Sequence, residues 1–196
     1  MLSTSMRPTP EPRRLAFVRH GATAPNLAEL RCGGDLDVPL TDIGRSQALA
    51  AAGRMAELDP GIGLIVTSDL QRTRETAAII ARALGGMDIA VEPGFAERRL
   101  GAWNLLPVAQ TETRLRNGQT PPGGESGLEF IRRIHTALPT LLPHLVRRPL
   151  LVASKGVARA LGEILGQPAG ASLSNGELSH FDLTHFGPLP IEGCRP

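Results

Sequence analysis

The sequence predicts a three-layer α/β/α sandwich built on a mostly parallel sheet. Short apolar runs alternate along the chain with longer segments of helical pattern. Uninterrupted apolar runs are typical of strands buried on both faces, and their alternation with helices indicates a parallel sheet covered on both sides. The chain has 196 residues, of which 41% are hydrophobic and 20% charged. These values are ordinary for a single globular domain.

The chain opens with a strand, a helix and a second strand. The first predicted strand spans residues 15–18 and is followed by a polar loop at 24–37. Thr41 is a natural N-cap for the alanine-rich helix predicted at 43–58, because its hydroxyl can accept a hydrogen bond from the first helical turn. A second buried strand is predicted at 63–67.

The middle of the chain holds one more helix and strand, followed by a long irregular stretch. Ser68 or Asp69 is the predicted cap of a helix that runs to residue 84, where two glycines stop it. A third strand is predicted at 88–91. Residues 95–127 show no regular period, which favours a lid or substrate loop laid over the sheet.

The last third of the chain is regular again. The sequence predicts a helix at 125–146, whose second half should be broken or kinked by two prolines, Pro139 and Pro143. The remaining predicted elements are a buried strand at 150–153, a helix at 157–165 and an edge strand at 179–183.

These elements predict one domain at residues 14–186. Residues 1–13 hold three prolines and no periodic pattern, so we expect a flexible leader there, and the proline-rich residues 187–196 are predicted to form a tail. The first residues lack the apolar run of a signal peptide, and no stretch approaches transmembrane length. We therefore expect a cytoplasmic protein without a membrane partner.

Composition argues against two kinds of binding. Aromatic residues make up 3% of the chain, with no tyrosine and one tryptophan, and the formal net charge is only +2. Nucleic-acid-binding proteins typically offer stacking rings or a strongly basic surface, so we expect no nucleic-acid partner. The two cysteines, Cys32 and Cys194, lie far apart without metal-ligand spacing, so we expect no metal site.

Charged and polar residues stand at the ends of three predicted strands. Arg19 and His20 follow the first strand, Ser68 to Arg72 follow the second, and Ser154-Lys155 follow the strand at 150–153. The carboxyl ends of parallel strands meet at one sheet edge, where α/β proteins bind ligands, so these side chains should converge. A neutral imidazole is a suitable nucleophile for phosphorus, and a guanidinium can hold a phosphoryl group beside it. The pattern therefore indicates phosphoryl transfer.

Four segments stand out as motifs. They are Arg-His-Gly-Ala-Thr at 19–23 with Asn26, Thr-Ser-Asp-Leu-Gln-Arg-Thr-Arg-Glu-Thr-Ala at 67–77, Glu-Arg-Arg-Leu-Gly-Ala-Trp at 97–103 and Pro-Gly-Gly-Glu-Ser at 122–126. In their order and spacing they resemble the motifs of the histidine phosphatase (phosphoglycerate mutase-like) superfamily. The resemblance covers nearly the whole chain and implies a phosphoglycerate mutase-like fold, in agreement with the sandwich predicted above.

The resemblance also implies a chemistry. His20 would become transiently phosphorylated, while Arg19, Asn26 and Arg72 would bind the phosphoryl group. Positive charge and donors around its equatorial oxygens would stabilise the transition state without a metal or any other cofactor. The implied activity is hydrolysis of a small phosphomonoester, so the expected partner is a small phosphorylated metabolite. The sequence leaves a homodimer open.

Glu97 is the predicted general acid. A leaving alkoxide needs a proton in the transition state, and a carboxyl group can supply it. Glu92 and Glu125 are the alternatives on the chain. Glu97 is preferred because it lies in the segment that resembles the proton-donor motif of the family.

Lys155 departs from the family pattern, which has a second histidine at this position. Lysine keeps a cation and hydrogen-bond donors, so Lys155 and Gly156 are predicted to bind phosphate, and Lys155 is also a predicted catalytic residue. A lysine does not reproduce the fixed geometry of imidazole, however. The alternative function is therefore a catalytically impaired protein that binds a phosphorylated ligand. A mutase ranks lower, because the short segment between Glu97 and Pro121 leaves little room for substrate-capping insertions.

Overall fold

The computed structural model describes residues 13–167, 173–184 and 186, and within them the backbone forms one five-stranded sheet. The strands are β1 (Arg14–Arg19), β2 (Leu64–Thr67), β3 (Ile89–Val91), β4 (Pro149–Ala153) and β5 (Leu178–Asp182). Their order across the sheet is β3-β2-β4-β1-β5. The first four are parallel to one another, whereas β5 pairs antiparallel with β1 at an edge. The predicted mostly parallel sheet is confirmed.

Helices connect and cover these strands. In chain order the α-helices are α1 (Ala24–Leu27), α2 (Asp42–Leu58), α3 (Gln71–Ala83), α4 (Val108–Arg116), α5 (Gly127–Ala137) and α6 (Lys155–Leu165). Segments of 3₁₀ helix lie at Pro93–Phe95, Gly101–Trp103 and Leu138–Arg147.

The core consists of two apolar clusters, one on each face of the sheet, because side chains alternate along every strand. In β1, Leu15 and Phe17 belong to the cluster that contains α5 and α6, whereas Ala16 and Val18 belong to the cluster that contains α2 and α3. All four side chains are buried. Burial on both faces explains why the strands read as uninterrupted apolar runs, and it confirms the three-layer sandwich.

The stretch predicted to be irregular, residues 95–127, contains α4. This helix begins after Pro107 without a side-chain N-cap, and Thr111 is its buried residue. A short helix whose buried face is polar has no apolar period to detect, so the sequence pattern did not reveal it.

The start of α3 also differs from the prediction. Its N-cap is Leu70, which makes no side-chain capping bond, so the predicted cap at Ser68 or Asp69 is wrong. The Ser68 hydroxyl hydrogen-bonds the Thr73 hydroxyl instead, with 2.8 Å between the oxygens. A local bond between two side chains therefore takes up the Ser68 hydroxyl that was predicted to cap the helix.

Two other predicted features are confirmed. The Thr41 hydroxyl accepts a hydrogen bond from the Gly44 N–H at 3.1 Å and caps α2. The helix predicted at 125–146 breaks in its second half, because α5 ends at Ala137 and the two prolines lie in the 3₁₀ segment that follows.

The predicted leader, apart from Arg13, and the predicted tail at 187–196 lie outside the described residues, so the domain boundaries stay predictions. In the part of the chain that the structure describes, no helix has both the length and the apolar character needed to cross a membrane.

Candidate active site

Three parallel strand ends form the candidate site. Arg19 in β1 pairs with Ala153 in β4, and the His20 N–H donates to the Ala153 carbonyl at 2.9 Å. Thr67, the last residue of β2, pairs with Val152 of β4. The residues that follow these strands therefore lie at one edge of the sheet, as the sequence predicts.

His20 is a buried, neutral imidazole. Its exposed fraction is 3%, and its Nδ1 lies 2.7 Å from the Gly21 carbonyl. A carbonyl oxygen only accepts, so Nδ1 carries the hydrogen and Nε2 keeps a free lone pair. Burial, followed by the charges of Arg72 and Arg19, holds the pKa of His20 well below its ordinary value of 6.5. The ring is therefore uncharged at neutral pH.

Side chains from two helices fix the loop behind His20. The Gly21 N–H donates to the Thr76 hydroxyl at 3.1 Å, and the Ala22 N–H donates to the Gln47 side-chain oxygen at 2.8 Å. Gly21 also lies directly against α2, because a Cβ atom placed on it would stand 2.1 Å from the Gly44 carbonyl oxygen. The position of His20 therefore depends on close backbone packing.

Two arginines next to His20 hold unused donors. Arg72 is fully buried and donates to the Leu36 and Gly33 carbonyls at 2.9 and 3.1 Å, while its Nε has no partner among the described residues. Arg19 donates to the Leu173 carbonyl at 2.7 Å, and its Nε is likewise buried without a described partner. Buried cations with unpaired donors are costly unless an anion binds there. The pair is suited to hold a phosphoryl group.

The Glu97 carboxylate lies against the first turn of α6. Its Oε2 accepts a hydrogen bond from the Gly156 N–H at 3.0 Å, and its Oε1 accepts one from the Arg98 N–H at 2.7 Å. A Cβ on Gly156 would stand 2.0 Å from Oε1, so only glycine leaves room for this carboxylate. The Gly156 N–H is thus donated to Glu97 in this structure, and its predicted contact with phosphate stays a prediction.

The two alternative carboxylates are occupied elsewhere. Glu125 is buried and forms an ion pair with Arg133, with 2.8 Å between Oε2 and Nη2. Glu92 accepts from the Gly94 N–H at 3.0 Å and caps the adjacent 3₁₀ segment. Of the three candidate carboxylates, Glu97 is the one that contacts a predicted phosphate ligand, Gly156.

Lys155 is the first residue of α6, and its side chain forms no hydrogen bond or ion pair with any residue that the structure describes. Partial burial, followed by the charges of Arg159 and Arg19, lowers the pKa of its ammonium group. The positive end of the α6 dipole adds to this repulsion. A bound anion would relieve it.

Asn26 and Asn175 complete the site. The Asn26 side-chain oxygen accepts from the Thr23 N–H at 3.2 Å and from the Asn175 amide at 3.3 Å. The same Asn175 amide donates to the His20 carbonyl at 2.9 Å. The Asn26 amide nitrogen therefore stays available for a ligand. Asn175 was not predicted from the sequence, because it lies in a loop without a motif and far along the chain from His20.

Within residues 13–167, 173–184 and 186, histidine, cysteine, aspartate and glutamate form no group of three or more that could hold a metal ion.

Comparison with known proteins identifies related sequences. Residues 15–190 match the model of the histidine phosphatase superfamily (branch 1). A probable phosphoglycerate mutase GpmB of Escherichia fergusonii is 42% identical over 184 residues, which cover 85% of this chain and 83% of that protein. A probable phosphoglycerate mutase GpmB of Yersinia pestis is 37% identical over 182 residues, with 85% and 83% covered.

Solved structures share the fold. A mycobacterial glucosyl-3-phosphoglycerate phosphatase in complex with VO3 matches with a TM-score of 0.72 and 29% identity, covering 86% of this chain and 92% of that one. A putative alpha-ribazole-5'-P phosphatase of Escherichia coli matches with a TM-score of 0.69 and 23% identity, covering 87% and 90%, a likeness of fold alone. The predicted phosphoglycerate mutase-like fold is confirmed.

Proposed function

The chain belongs to the histidine phosphatase superfamily, and from that premise we propose that it hydrolyses a small phosphomonoester through a phosphohistidine, without a metal or other cofactor. His20 is the nucleophile in this proposal and Glu97 the general acid. The proposed phosphate ligands are Arg19, Asn26, Arg72, Lys155 and Gly156.

In the first step the Nε2 of His20 attacks phosphorus, and the bond from phosphorus to the ester oxygen breaks. Glu97 donates a proton to that oxygen, so the alcohol leaves neutral. Each Glu97 oxygen accepts one N–H bond and keeps a second lone pair on which this proton can sit. The Gly21 carbonyl stabilises the positive charge that the phosphorylated ring acquires.

In the second step a water molecule attacks phosphorus. Glu97, now a carboxylate, takes a proton from that water, and the bond from phosphorus to Nε2 breaks. The electron pair returns to the imidazole, and inorganic phosphate leaves. Arg19 and Arg72 offer positive charge to the equatorial oxygens in both transition states.

One observation carries this proposal: the His20 imidazole, next to the fully buried Arg72 and the partly buried Arg19, is neutral and has Nε2 free. A protein that only binds phosphate gains from a charged histidine, because a cation attracts the anion. A lowered pKa sacrifices that attraction and keeps the lone pair that a nucleophile needs. The state of His20 therefore favours catalysis over simple binding.

The direct test is turnover of p-nitrophenyl phosphate in the presence of EDTA. We expect steady hydrolysis by the parent protein and a loss of about 10³-fold or more in the His20→Ala variant, because the covalent nucleophile is gone. Rapid quenching should reveal one added phosphoryl group on the peptide that contains His20. A folded His20→Ala variant with parent-like turnover would exclude this site.

Two alternative functions each have an observation in their favour. Lys155, an unpaired cation at the mouth of the site, favours a catalytically impaired phosphate-binding protein, which would bind inorganic phosphate without turnover. The GpmB relatives are named probable phosphoglycerate mutases, and a mutase would move the phosphoryl group between two positions of a phosphoglycerate faster than it releases phosphate.

A further inference from the structure

The segment that carries Glu97 has little regular structure of its own. Residues 96–100 form neither helix nor strand. One side chain on α5, Arg133, donates to three carbonyls of this segment: those of Gly94 and Ala96 at 2.9 Å each, and that of Glu97 itself at 3.3 Å. The backbone at the candidate general acid is therefore held by a residue 36 positions further along the chain.

Arg133 uses every N–H of its guanidinium group. Besides the three carbonyls, its Nε and Nη2 donate to the two carboxylate oxygens of Glu125 at 3.0 and 2.8 Å. A guanidinium has five N–H donors in one rigid plane, so none is left over. This separates Arg133 from Arg19 and Arg72, each of which keeps a buried Nε–H without a described partner.

Glu125 holds the other end of the same segment. Its N–H donates to the Arg99 carbonyl at 2.9 Å, and its carboxylate accepts from the Arg99 N–H at 3.3 Å. Its carbonyl accepts from the Arg98 side chain at 2.8 Å. The chain on both sides of Glu97 is thus bound by a single ion pair, whose carboxylate is 3% exposed.

We infer that Arg133 and Glu125 are positioning residues for the general acid Glu97, an assignment that rests on the proposed function. The ion pair fixes the backbone from Gly94 to Arg99, and the Glu97 carboxylate then reaches the Gly156 N–H in the first turn of α6. Arg133 acts on the proton transfer through this backbone and does not touch the phosphoryl group.

Replacing Arg133 with lysine keeps the charge and removes the planar fork. An ammonium group has three donors from one nitrogen and does not reach five acceptors spread along two chain segments. The Glu97 carboxylate should then drift from its place, and a shift of about 1 Å in a catalytic group can cost about 10²-fold in rate. The rate of proton donation by Glu97 should fall, whereas the rate of attack by His20 should stay the same.

Two aryl esters separate these steps. Phenyl phosphate and p-nitrophenyl phosphate share a ring, but phenol leaves as a more basic oxygen and depends more on a general acid. The ratio kcat/KM reports the step in which the phosphohistidine forms. Glu97→Gln sets the reference: we expect kcat/KM to fall about 10²- to 10⁴-fold for phenyl phosphate and far less for p-nitrophenyl phosphate.

For Arg133→Lys we expect the same contrast at a smaller size, with kcat/KM reduced about 10- to 100-fold for phenyl phosphate and about threefold or less for p-nitrophenyl phosphate. Inhibition by vanadate should stay parent-like. Arg147→Lys is the matched control, because Arg147 also bridges a carboxylate and a carbonyl, those of Asp88 and Gly63, at the opposite edge of the sheet. Its variant should show no contrast between the two esters.

Equal losses on both esters in Arg133→Lys would overturn the positioning role and leave a merely structural one. If Glu97→Gln shows no contrast, the acid assignment and the positioning role both fail, while turnover through His20 would still support the phosphatase. Should Arg133→Lys not fold, Glu125→Gln keeps the shape and one acceptor of the pair. The Glu125→Gln variant must then lose more kcat/KM for phenyl phosphate than for p-nitrophenyl phosphate, by a smaller factor than Glu97→Gln, for the inference to stand.

Discussion

The two halves of the candidate site are held in different ways. The nucleophile half consists of residues 19–23 together with Arg72. These residues lie at or shortly after the ends of β1 and β2, and the His20 N–H is itself hydrogen-bonded to β4. The acid half consists of residues 94–127, which follow β3. Side chains hold this half in place at the site, above all the ion pair of Glu125 and Arg133.

This difference predicts different responses to change. The nucleophile half shares its backbone contacts with the core, so a disturbance there should reduce both stability and activity. The acid half is attached mainly through the side chains of Arg133 and the buried Glu125, outside the sheet. A disturbance there should reduce the rate of proton transfer while the fold stays intact.

The largest effect is expected for Gly21→Ala, which acts on the nucleophile half. The new methyl group would stand 2.1 Å from the Gly44 carbonyl oxygen, and because that oxygen belongs to the backbone, α2 or the loop must shift. We expect kcat/KM for p-nitrophenyl phosphate to fall about 10²-fold or more. Overpacking should also lower the free energy of unfolding by about 1–3 kcal/mol in urea denaturation.

The control for this variant is Gly53→Ala in the same helix, α2. A Cβ at Gly53 meets nothing within 4 Å, so alanine should leave activity unchanged and stabilise the helix by up to about 1 kcal/mol. Parent-like activity and stability in Gly21→Ala would mean that the close packing of these two backbones does not matter.

The position of the nucleophile half was predicted from the sequence for the same physical reason that makes this half sensitive. Strands buried on both faces read as apolar runs, and the charged residues at their ends mark one sheet edge. His20, Arg19 and Arg72 were placed from that pattern. The convergence of Lys155 with them follows from the parallel pairing of β1 and β4.

The acid half was predicted only in part. Glu97 was chosen by motif resemblance, and α4 and the role of Arg133 were not found. The bonds that hold Glu97 join residues that are dozens of positions apart, and Arg133 reads in the sequence as one more polar position of an amphipathic helix. Contacts of this range leave no local period or cap for a single sequence to show.

A smaller and more selective effect is expected for Gly156→Ala, which acts on the acid half. The new methyl group would stand 2.0 Å from Oε1 of Glu97, and the flexible carboxylate can move away from it. We expect kcat/KM for phenyl phosphate to fall about 10- to 100-fold. The melting temperature should stay close to that of the parent, because no backbone has to shift.

Gly127→Ala is the matched control for Gly156→Ala, since Gly127 also lies in the first turn of a helix. A Cβ there meets only the Arg98 side chain, at 3.8 Å, which is an ordinary contact. Both variants should fold, and only Gly156→Ala should discriminate between the two aryl esters. A Gly156→Ala variant that loses stability as strongly as Gly21→Ala would remove the proposed difference between the two halves.

The smallest effect is expected at Lys155, which lies where the two halves meet. If the lysine is a phosphate clamp, Lys155→Ala should weaken inhibition by inorganic phosphate and lower kcat/KM together, by about 10-fold, because the cation contacts ground and transition states alike.

Lys155→His is the sharper variant. Burial and the charges of Arg159 and Arg19 lower the pKa of Lys155 from an ordinary value of 10.5, so the parent should lose this charge, and activity with it, at a lower pH than a site with an ordinary lysine. An imidazole has an ordinary pKa of about 6.5 and would lose its charge much earlier. The histidine variant should therefore match the parent at best below that pH and fall behind it above. A silent parent with an active Lys155→His variant would instead identify a site that has lost turnover, and the protein would be a phosphate-ligand binder.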